Sequence, residues 1–226
     1  MKILVLIPAR GGSKRLPRKN IRILGKKPVV AWSIDVCRGL PEIVDVLLST
    51  DDEETAEIGT RAGALVPWLR PAELSTDTAR TADVALHALD WYETKKGIVD
   101  AILLLQPTSP FRSRATMKRG IELFKHHGNR PVVAISPASC HPMWCLEVDG
   151  DKVRPFIKNN GFHMRSQELP SAFVVNGAFY LITPQDLRRH QSFYSEDMVP
   201  LKMLSPDESL DIDTDYDWKI AQALIA

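Results

Sequence analysis

Ile3-Leu-Val-Leu-Ile-Pro-Ala-Arg10-Gly-Gly-Ser-Lys-Arg-Leu-Pro-Arg-Lys-Asn20 is the stretch that decides the fold. Residues 3–7 are apolar without alternation, the pattern of a strand buried on both faces rather than one with a wet side. Two glycines and a set of cations follow directly. In an open parallel sheet ligands bind at the carboxyl ends of strands, so this loop falls where a binding crevice is expected.

Outward from that stretch the same rhythm repeats. Strand-sized apolar runs at 44–48, 101–105 and 131–135, with a short strand holding Val66, alternate with helical patterns over 28–38, 52–61, 81–95 and 114–125. Such alternation predicts an α/β chain with a mostly parallel sheet covered by helices on both faces. The rhythm changes between 136 and 184. There Pro137, Pro142, Pro155 and Pro170, the turn signal Asp149-Gly-Asp151, and β-prone pieces at 144–148 and 173–182 predict hairpins, read as a small inserted lobe. A last strand around 199–204 leads to the acidic Ser209-Leu-Asp-Ile-Asp-Thr214 and a helix from about Tyr216. With no internal repeat and no Gly/Ser linker, residues 1–226 read as a single domain with the lobe at 136–184 inside it.

Composition narrows the function classes. A chain of 226 residues, 44% hydrophobic and 25% charged, can bury one sizeable core, and no apolar run nears the roughly 18 residues that cross a bilayer. No membrane role is expected. Cys37, Cys140 and Cys145 are an odd, sparse set that fits a reducing compartment, and the start lacks a signal core, so the expected location is cytoplasmic. Net charge is +1, yet residues 10–22 hold six cations and no acid, which leaves the rest at −5. The positive charge is local, and no aromatic residue is interleaved with it for base stacking. A pocket for a compact polyanion fits better than a nucleic-acid footprint.

Three groups of residues carry chemistry. Gly11 and Gly12 let the backbone turn and approach phosphate oxygens, Lys14 and Lys19 offer point charges, and Arg10 offers a bidentate fork. The loop matches neither the Walker pattern nor the dinucleotide fingerprint. Asp211 and Asp213, two apart in an extended segment, face one side and form a hard oxygen pair suited to Mg²⁺, with Thr214 or Asp215 left to cap the last helix. Gln106, where an apolar strand runs into Pro-Thr-Ser-Pro, is a neutral donor and acceptor able to orient a hydroxyl or phosphate. Hydrolase signatures such as G-x-S-x-G and H-E-x-x-H are missing.

In order along nearly the whole chain, the sequence resembles the acylneuraminate cytidylyltransferase family, the CMP-sialic acid synthetases. The matches are the loop 7–20, Leu48-Ser-Thr-Asp51, Leu69-Arg-Pro-Ala-Glu-Leu74 with Thr76-Asp-Thr78, Leu105-Gln-Pro-Thr-Ser-Pro-Phe-Arg112, Arg165-Ser-Gln-Glu-Leu-Pro170, Asn176-Gly-Ala-Phe-Tyr180 and Ser209–Thr214. The resemblance implies a Rossmann-like nucleotidyltransferase fold in which CTP reacts with a nine-carbon 2-keto sugar acid, a nonulosonic acid, to give the CMP-sugar and pyrophosphate. It implies that Arg10, Gly11, Gly12, Ser13, Lys14 and Lys19 hold the triphosphate, that Asn20, Arg70 and Thr81 contact the cytidine, and that Gln106 orients the sugar acid. Asp211 and Asp213 would hold Mg²⁺, and Arg10, Lys19, Gln106 and Asp211 form the catalytic set. It further implies a homodimer whose inserted lobe brings Arg165, Gln167 and Tyr180 toward the neighbouring subunit's sugar acid.

Two departures bear on the sugar. Sialic-acid enzymes often carry a cation after the lobe's His-Pro and another before Asn-Gly, where this chain has Trp144 and Val174-Val175. Members acting on N,N'-diacetyllegionaminic acid look similar here, with Pro142-Met-Trp-Cys145 and Ser192-Phe-Tyr-Ser195. A less polar pocket, with Trp144 and Phe193 against the sugar, favours that acid, with N-acetylneuraminic acid close behind. The competing readings are a glycosyltransferase that uses its Asp-x-Asp on a nucleotide-sugar and an RNA-binding module built on the basic loop.

Overall fold

Side chains of Ile3, Val5 and Ile7 enter one apolar cluster and those of Leu4 and Leu6 another, all five fully buried. Successive strand residues point to opposite faces, so an unbroken apolar run means that both faces are covered. The computed structural model describes residues 1–158 and 161–226. Its strands are β1 (Ile3–Pro8), the short pair β2 (Ile23–Leu24) and β3 (Lys27–Pro28), β4 (Ile43–Ser49), β5 (Ala101–Leu104), β6 (Val132–Pro137), the hairpin pair β7 (Leu146–Asp149) and β8 (Lys152–Pro155), β9 (Phe173–Ile182) and β10 (Val199–Lys202). Six of them form the central sheet in the order β10-β6-β9-β5-β1-β4. Only β9 runs antiparallel to its neighbours within it.

Helices α1 (Val29–Asp35) and α4 (Arg114–His126) cover one face, through Val30, Ile34, Met117, Ile121 and Phe124. Ile58 of α2 (Glu53–Arg61) packs beside them. The other face lies under α3 (Thr81–Lys95), through Ala85, Ala88, Leu89 and Tyr92, and under Leu187 of α5 (Pro184–His190). Helix α6 (Asp215–Ala223) joins neither layer. It belongs to a third cluster in which Trp218 and Ala221 meet Leu16, Leu24, Val29 and Ile212. Among the described residues no helix is long and apolar enough to cross a membrane.

Two expectations need correction. Val66 lies outside any strand; its neighbour Leu65 makes an isolated bridge to Leu47. The lobe expected over 136–184 is narrower, because β9 spans residues 173–182 as one strand between β5 and β6. What stands outside the sheet is 138–172, which holds the β7–β8 hairpin; Asn159 and Asn160 of that range lie outside the described residues. The misreading has a physical cause: Phe173, Val174 and Val175 are exposed while Ala178 to Ile182 are buried, so β9 begins like a surface hairpin and ends as a core strand. The hairpin turn itself falls on Gly150, whose φ of 57° suits glycine.

Candidate active site

From β1 the chain moves outward to β4 on one side and then crosses to β5 on the other. The loops that leave β1 and β5 therefore diverge at the strands' carboxyl ends, the topological switch point where a crevice opens. It holds about 610 Å³. The loop after β1 contributes Arg10, Ser13, Lys14, Lys19 and Asn20, the segment entering α3 contributes Arg70 and Thr81, and the loop after β5 contributes Gln106. Asp211 and Asp213 close it from the C-terminal side. Residues read from opposite ends of the sequence thus line one cavity.

What brings the two ends together is the third cluster. Leu16 is 1% exposed in the midst of the cationic loop, and Ile212 is fully buried between the two aspartates. Each apolar residue sinks into the cluster and leaves its charged neighbours at the rim. Thr214 then caps α6: its hydroxyl accepts from Asp217 N at 3.2 Å, and the Asp217 carboxylate accepts from Thr214 N at 2.7 Å in return. The carboxylates of Asp211 and Asp213 are thereby left out of the cap.

Ion pairs cross the crevice. Lys19 Nζ donates to Asp213 Oδ1 at 2.7 Å and Arg15 to Asp213 Oδ2 at 2.7 Å. Arg10 donates to Asp77 at 2.7 Å, and Lys14 pairs with the same carboxylate. Both cations hold the Asp77 carboxyl below the usual aspartate range, Lys14 contributing more than Arg10. Asp211 is shifted the other way: desolvation at the crevice wall raises its pKa, the Asp213 carboxylate adds to this, and Thr108 opposes it. Burial likewise pushes Arg70 down to about 10, so it stays a cation at neutral pH.

Several of the expected site residues also bond within the protein. The Arg70 guanidinium is spent within the protein, on the Ser49 hydroxyl at 2.9 Å and the Ser49 carbonyl, so it lines the crevice as a support for the end of β4. Asn20 Nδ2 donates to the Arg10 carbonyl at 2.9 Å and so pins the basic loop. Gly11 and Gly12 are not among the left-handed glycines. Gly11 is required because a Cβ there would lie 2.8 Å from that of Asp52, whereas a Cβ on Gly12 would meet open space. Trp144, Arg165 and Gln167 stand on the outlying segment away from the crevice, Trp144 donating its indole N–H to Gly161 O at 2.9 Å.

Tyr180 and Phe193 are misplaced by the sequence reading. At 5% and 4% exposure they are core residues, their rings 5.9 Å apart. Burial pushes the Tyr180 hydroxyl up, and Tyr194 lies 3.4 Å from it. Sequence reasoning missed Asp77, Arg15 and the internal role of Arg112. Asp77 carried a signal, since it interrupts a polar loop beside a concentrated cationic one; Arg112 carried none beyond following an apolar strand.

Asp211 and Asp213 both line the crevice, and among the described residues no group of three or more His, Cys, Asp or Glu side chains is placed to hold a metal ion by itself. Two carboxylates without soft ligands fit Mg²⁺, which takes one or two carboxylates and completes its shell with water and phosphate oxygens.

A family model described as cytidylyltransferase matches residues 4–194. The chain is 38% identical over 227 aligned residues to a CMP-N,N'-diacetyllegionaminic acid synthase of Legionella pneumophila, covering 100% of this chain and 97% of that protein. It is 30% identical to a pseudaminic acid cytidylyltransferase of Campylobacter jejuni, covering 99% and 96%. Its fold is similar to that of a CMP:2-keto-3-deoxy-manno-octonic acid synthetase complexed with CTP, with a TM-score of 0.72 at 16% identity, covering 100% and 98% of the two chains.

Proposed function

The chain belongs to the cytidylyltransferase family, a CTP-dependent nucleotidyltransferase, and we propose that it transfers CMP from CTP to the anomeric hydroxyl of a nonulosonic acid and releases pyrophosphate. The observation that carries this reading is one crevice lined at once by the cations Arg10, Lys14 and Lys19, the carboxylates Asp211 and Asp213, and Gln106. The hydroxyl oxygen attacks the α-phosphorus in line, a new P–O bond forms, the bond to the pyrophosphate oxygen breaks, and the hydroxyl proton is released to water. Charge grows on the leaving pyrophosphate, where Arg10, Lys14 and Lys19 meet it with fixed cations. Gln106 orients the sugar acid, so that positioning supplies much of the rate. Asp211 and Asp213 would hold Mg²⁺, which when bound neutralises phosphate charge.

The sugar acid is N,N'-diacetyllegionaminic acid in this reading. Its support is the name of the relative 38% identical over the whole chain, together with Trp144 and Val174-Val175 in places where sialic-acid enzymes often carry cations. With Phe193 in the core and Trp144 away from the crevice of its own chain, apolar contact with the sugar would come from Trp144 of a second copy. A missing charge-assisted hydrogen bond costs about 1.5–3 kcal/mol, or roughly one to two powers of ten in kcat/KM for the sialic acid.

The reading includes a cytoplasmic homodimer. Val148, Val153 and Phe156 on the hairpin segment and Phe173 to Val175 at the root of β9 are exposed apolar residues that a second copy would cover, and sedimentation at twice 25.3 kDa checks this. Pyrophosphate release from CTP and Mg²⁺ with N,N'-diacetyllegionaminic, N-acetylneuraminic and pseudaminic acids tests the substrate. The first should give the highest kcat/KM, and Trp144→Lys should narrow its lead over the second. Equal efficiencies for all three would overturn the choice of sugar, and no turnover with any would overturn the reaction.

A further inference from the structure

Gly177 stands on β9 where the strand's pairing with β6 slips, between the partners Val133↔Tyr180 and Ile135↔Val175. Its φ of 78° is in the region that disfavours any side chain. A Cβ at this position would overlap the Gln106 carboxamide oxygen, and would lie 3.2 Å from Gln106 Cδ and 3.5 Å from Ser109 Oγ. The carboxamide of Gln106, a neutral polar group of the crevice wall, therefore rests on bare backbone.

The bulge is tied to the loop after β5 at several points. Ser109 Oγ donates to Asn176 O at 3.3 Å, and Asn176 Oδ1 accepts from Ala178 N at 3.1 Å. Arg112, 4% exposed, donates Nε to Ala178 O at 2.8 Å and an NH2 group to Gln106 O, while its other NH2 group reaches the Ser33 hydroxyl at 2.6 Å. Burial lowers its pKa to about 10, which leaves it charged. A rigid guanidinium fork spent on neutral oxygens fixes the spacing between Gln106 and the bulge, which a flexible ammonium could not do.

We infer that Gly177 is a positioning residue for the acceptor: with Ser109 and Arg112 it seats the Gln106 carboxamide in the crevice, and so sets how the sugar acid is held without touching it. The inference rests on the reading of Gln106 as the group that orients that acid. In Gly177→Ala the new methyl group evicts the carboxamide, whereas in a Gln106→Ala background there is nothing to evict.

The test measures KM for N,N'-diacetyllegionaminic acid, Kd for CTP by calorimetry, and the melting temperature in the wild type, G177A, Q106A and the double variant. Expected are a rise in the sugar-acid KM of at least about tenfold in G177A, CTP binding within about twofold, and less than a twofold further change when G177A is added to Q106A. Equal effects of G177A in both backgrounds, or an equal loss of CTP binding, would overturn the inference and leave Gly177 as a backbone requirement of the bulge. A silent Q106A would refute the assignment of the sugar acid to Gln106, while the coupling would still be decided by whether G177A harms only the enzyme that keeps Gln106. Should G177A fail to fold, Ser109→Ala carries the same comparison, with a severalfold rise in sugar-acid KM in the Gln106 enzyme alone supporting the inference and no such difference overturning it.

Discussion

Replacing Asp213 by Asn separates a metal-holding role from a purely structural one, because the two predict different sizes of effect. The structural cost comes from two ion pairs. Arg15 is 71% exposed, so its pair contributes at most about 1 kcal/mol. Lys19 is only 11% exposed, and a charge-assisted bond there would be about 1.5–3 kcal/mol, reduced by the solvent that reaches the one-third-exposed Asp213. A total of about 1–2 kcal/mol lowers the melting temperature of a chain this size by roughly 2–8 °C. Helix α6 keeps its cap, since Thr214 and Asp217 make it. The functional cost is larger. Loss of one of two metal-holding carboxylates should raise the half-saturating Mg²⁺ concentration at least about tenfold, the lower end of what loss of a mere supporting bond to a metal ligand costs. Pyrophosphate release titrated with Mg²⁺ at saturating CTP, beside a melting curve, reads both. Wild-type turnover at limiting Mg²⁺ in a variant that melts a few degrees lower would refute the metal role and leave Asp213 as a partner for Lys19.

Asp211, with its raised pKa, should behave differently: its charged form is disfavoured in the fold, so its contribution to stability is favourable below the folded pKa and lost as pH rises through it. Asp211→Asn should therefore melt no lower than wild type at neutral pH while losing activity, and the wild type's Mg²⁺ requirement should climb as pH falls from neutral toward the aspartate range; melting and Mg²⁺ titrations across that range check both, and a variant that melts well below wild type would contradict the desolvation argument. Leu16→Ala removes a side chain 1% exposed from the cluster beneath the basic loop, at a cost of about 2–5 kcal/mol, and should weaken CTP binding measured by calorimetry although Leu16 carries no charge.

Much of this is legible in the amino-acid sequence alone. Strand β1 was readable because both of its faces are buried, helix α3 because its pattern runs from Thr81 to Lys95 without a breaker, and the crevice because Arg10, Lys19, Gln106, Asp211 and Asp213 are the residue types that phosphate and a hard cation demand. What stayed hidden were properties of pairing. Whether residues 173–182 fold back on themselves or enter the main sheet depends on which strands lie beside them, and alternation within the segment does not say. Arg70 looks like a ligand-binding cation in sequence, yet its donors are turned to the Ser49 hydroxyl and carbonyl, which only the fold brings near. Tyr180 and Phe193 look like sugar-stacking aromatics and are core, because an aromatic ring serves both ends equally well.

The same device recurs at both poles of the site. An apolar residue, Leu16 or Ile212, is set among charged ones and buried in a cluster shared by chain segments almost two hundred positions apart. Apolar burial is non-directional and strong, whereas the ion pairs across the crevice are all reached by solvent on at least one partner and each contributes less than the cluster does. The placement of the charges is therefore governed by the core beneath them rather than by their attraction for one another. Cations held this way can exchange a carboxylate for a phosphate without the loop losing its seat. That is what a site needs if it is to receive a triphosphate, let a pyrophosphate go, and return to the same geometry for the next turnover.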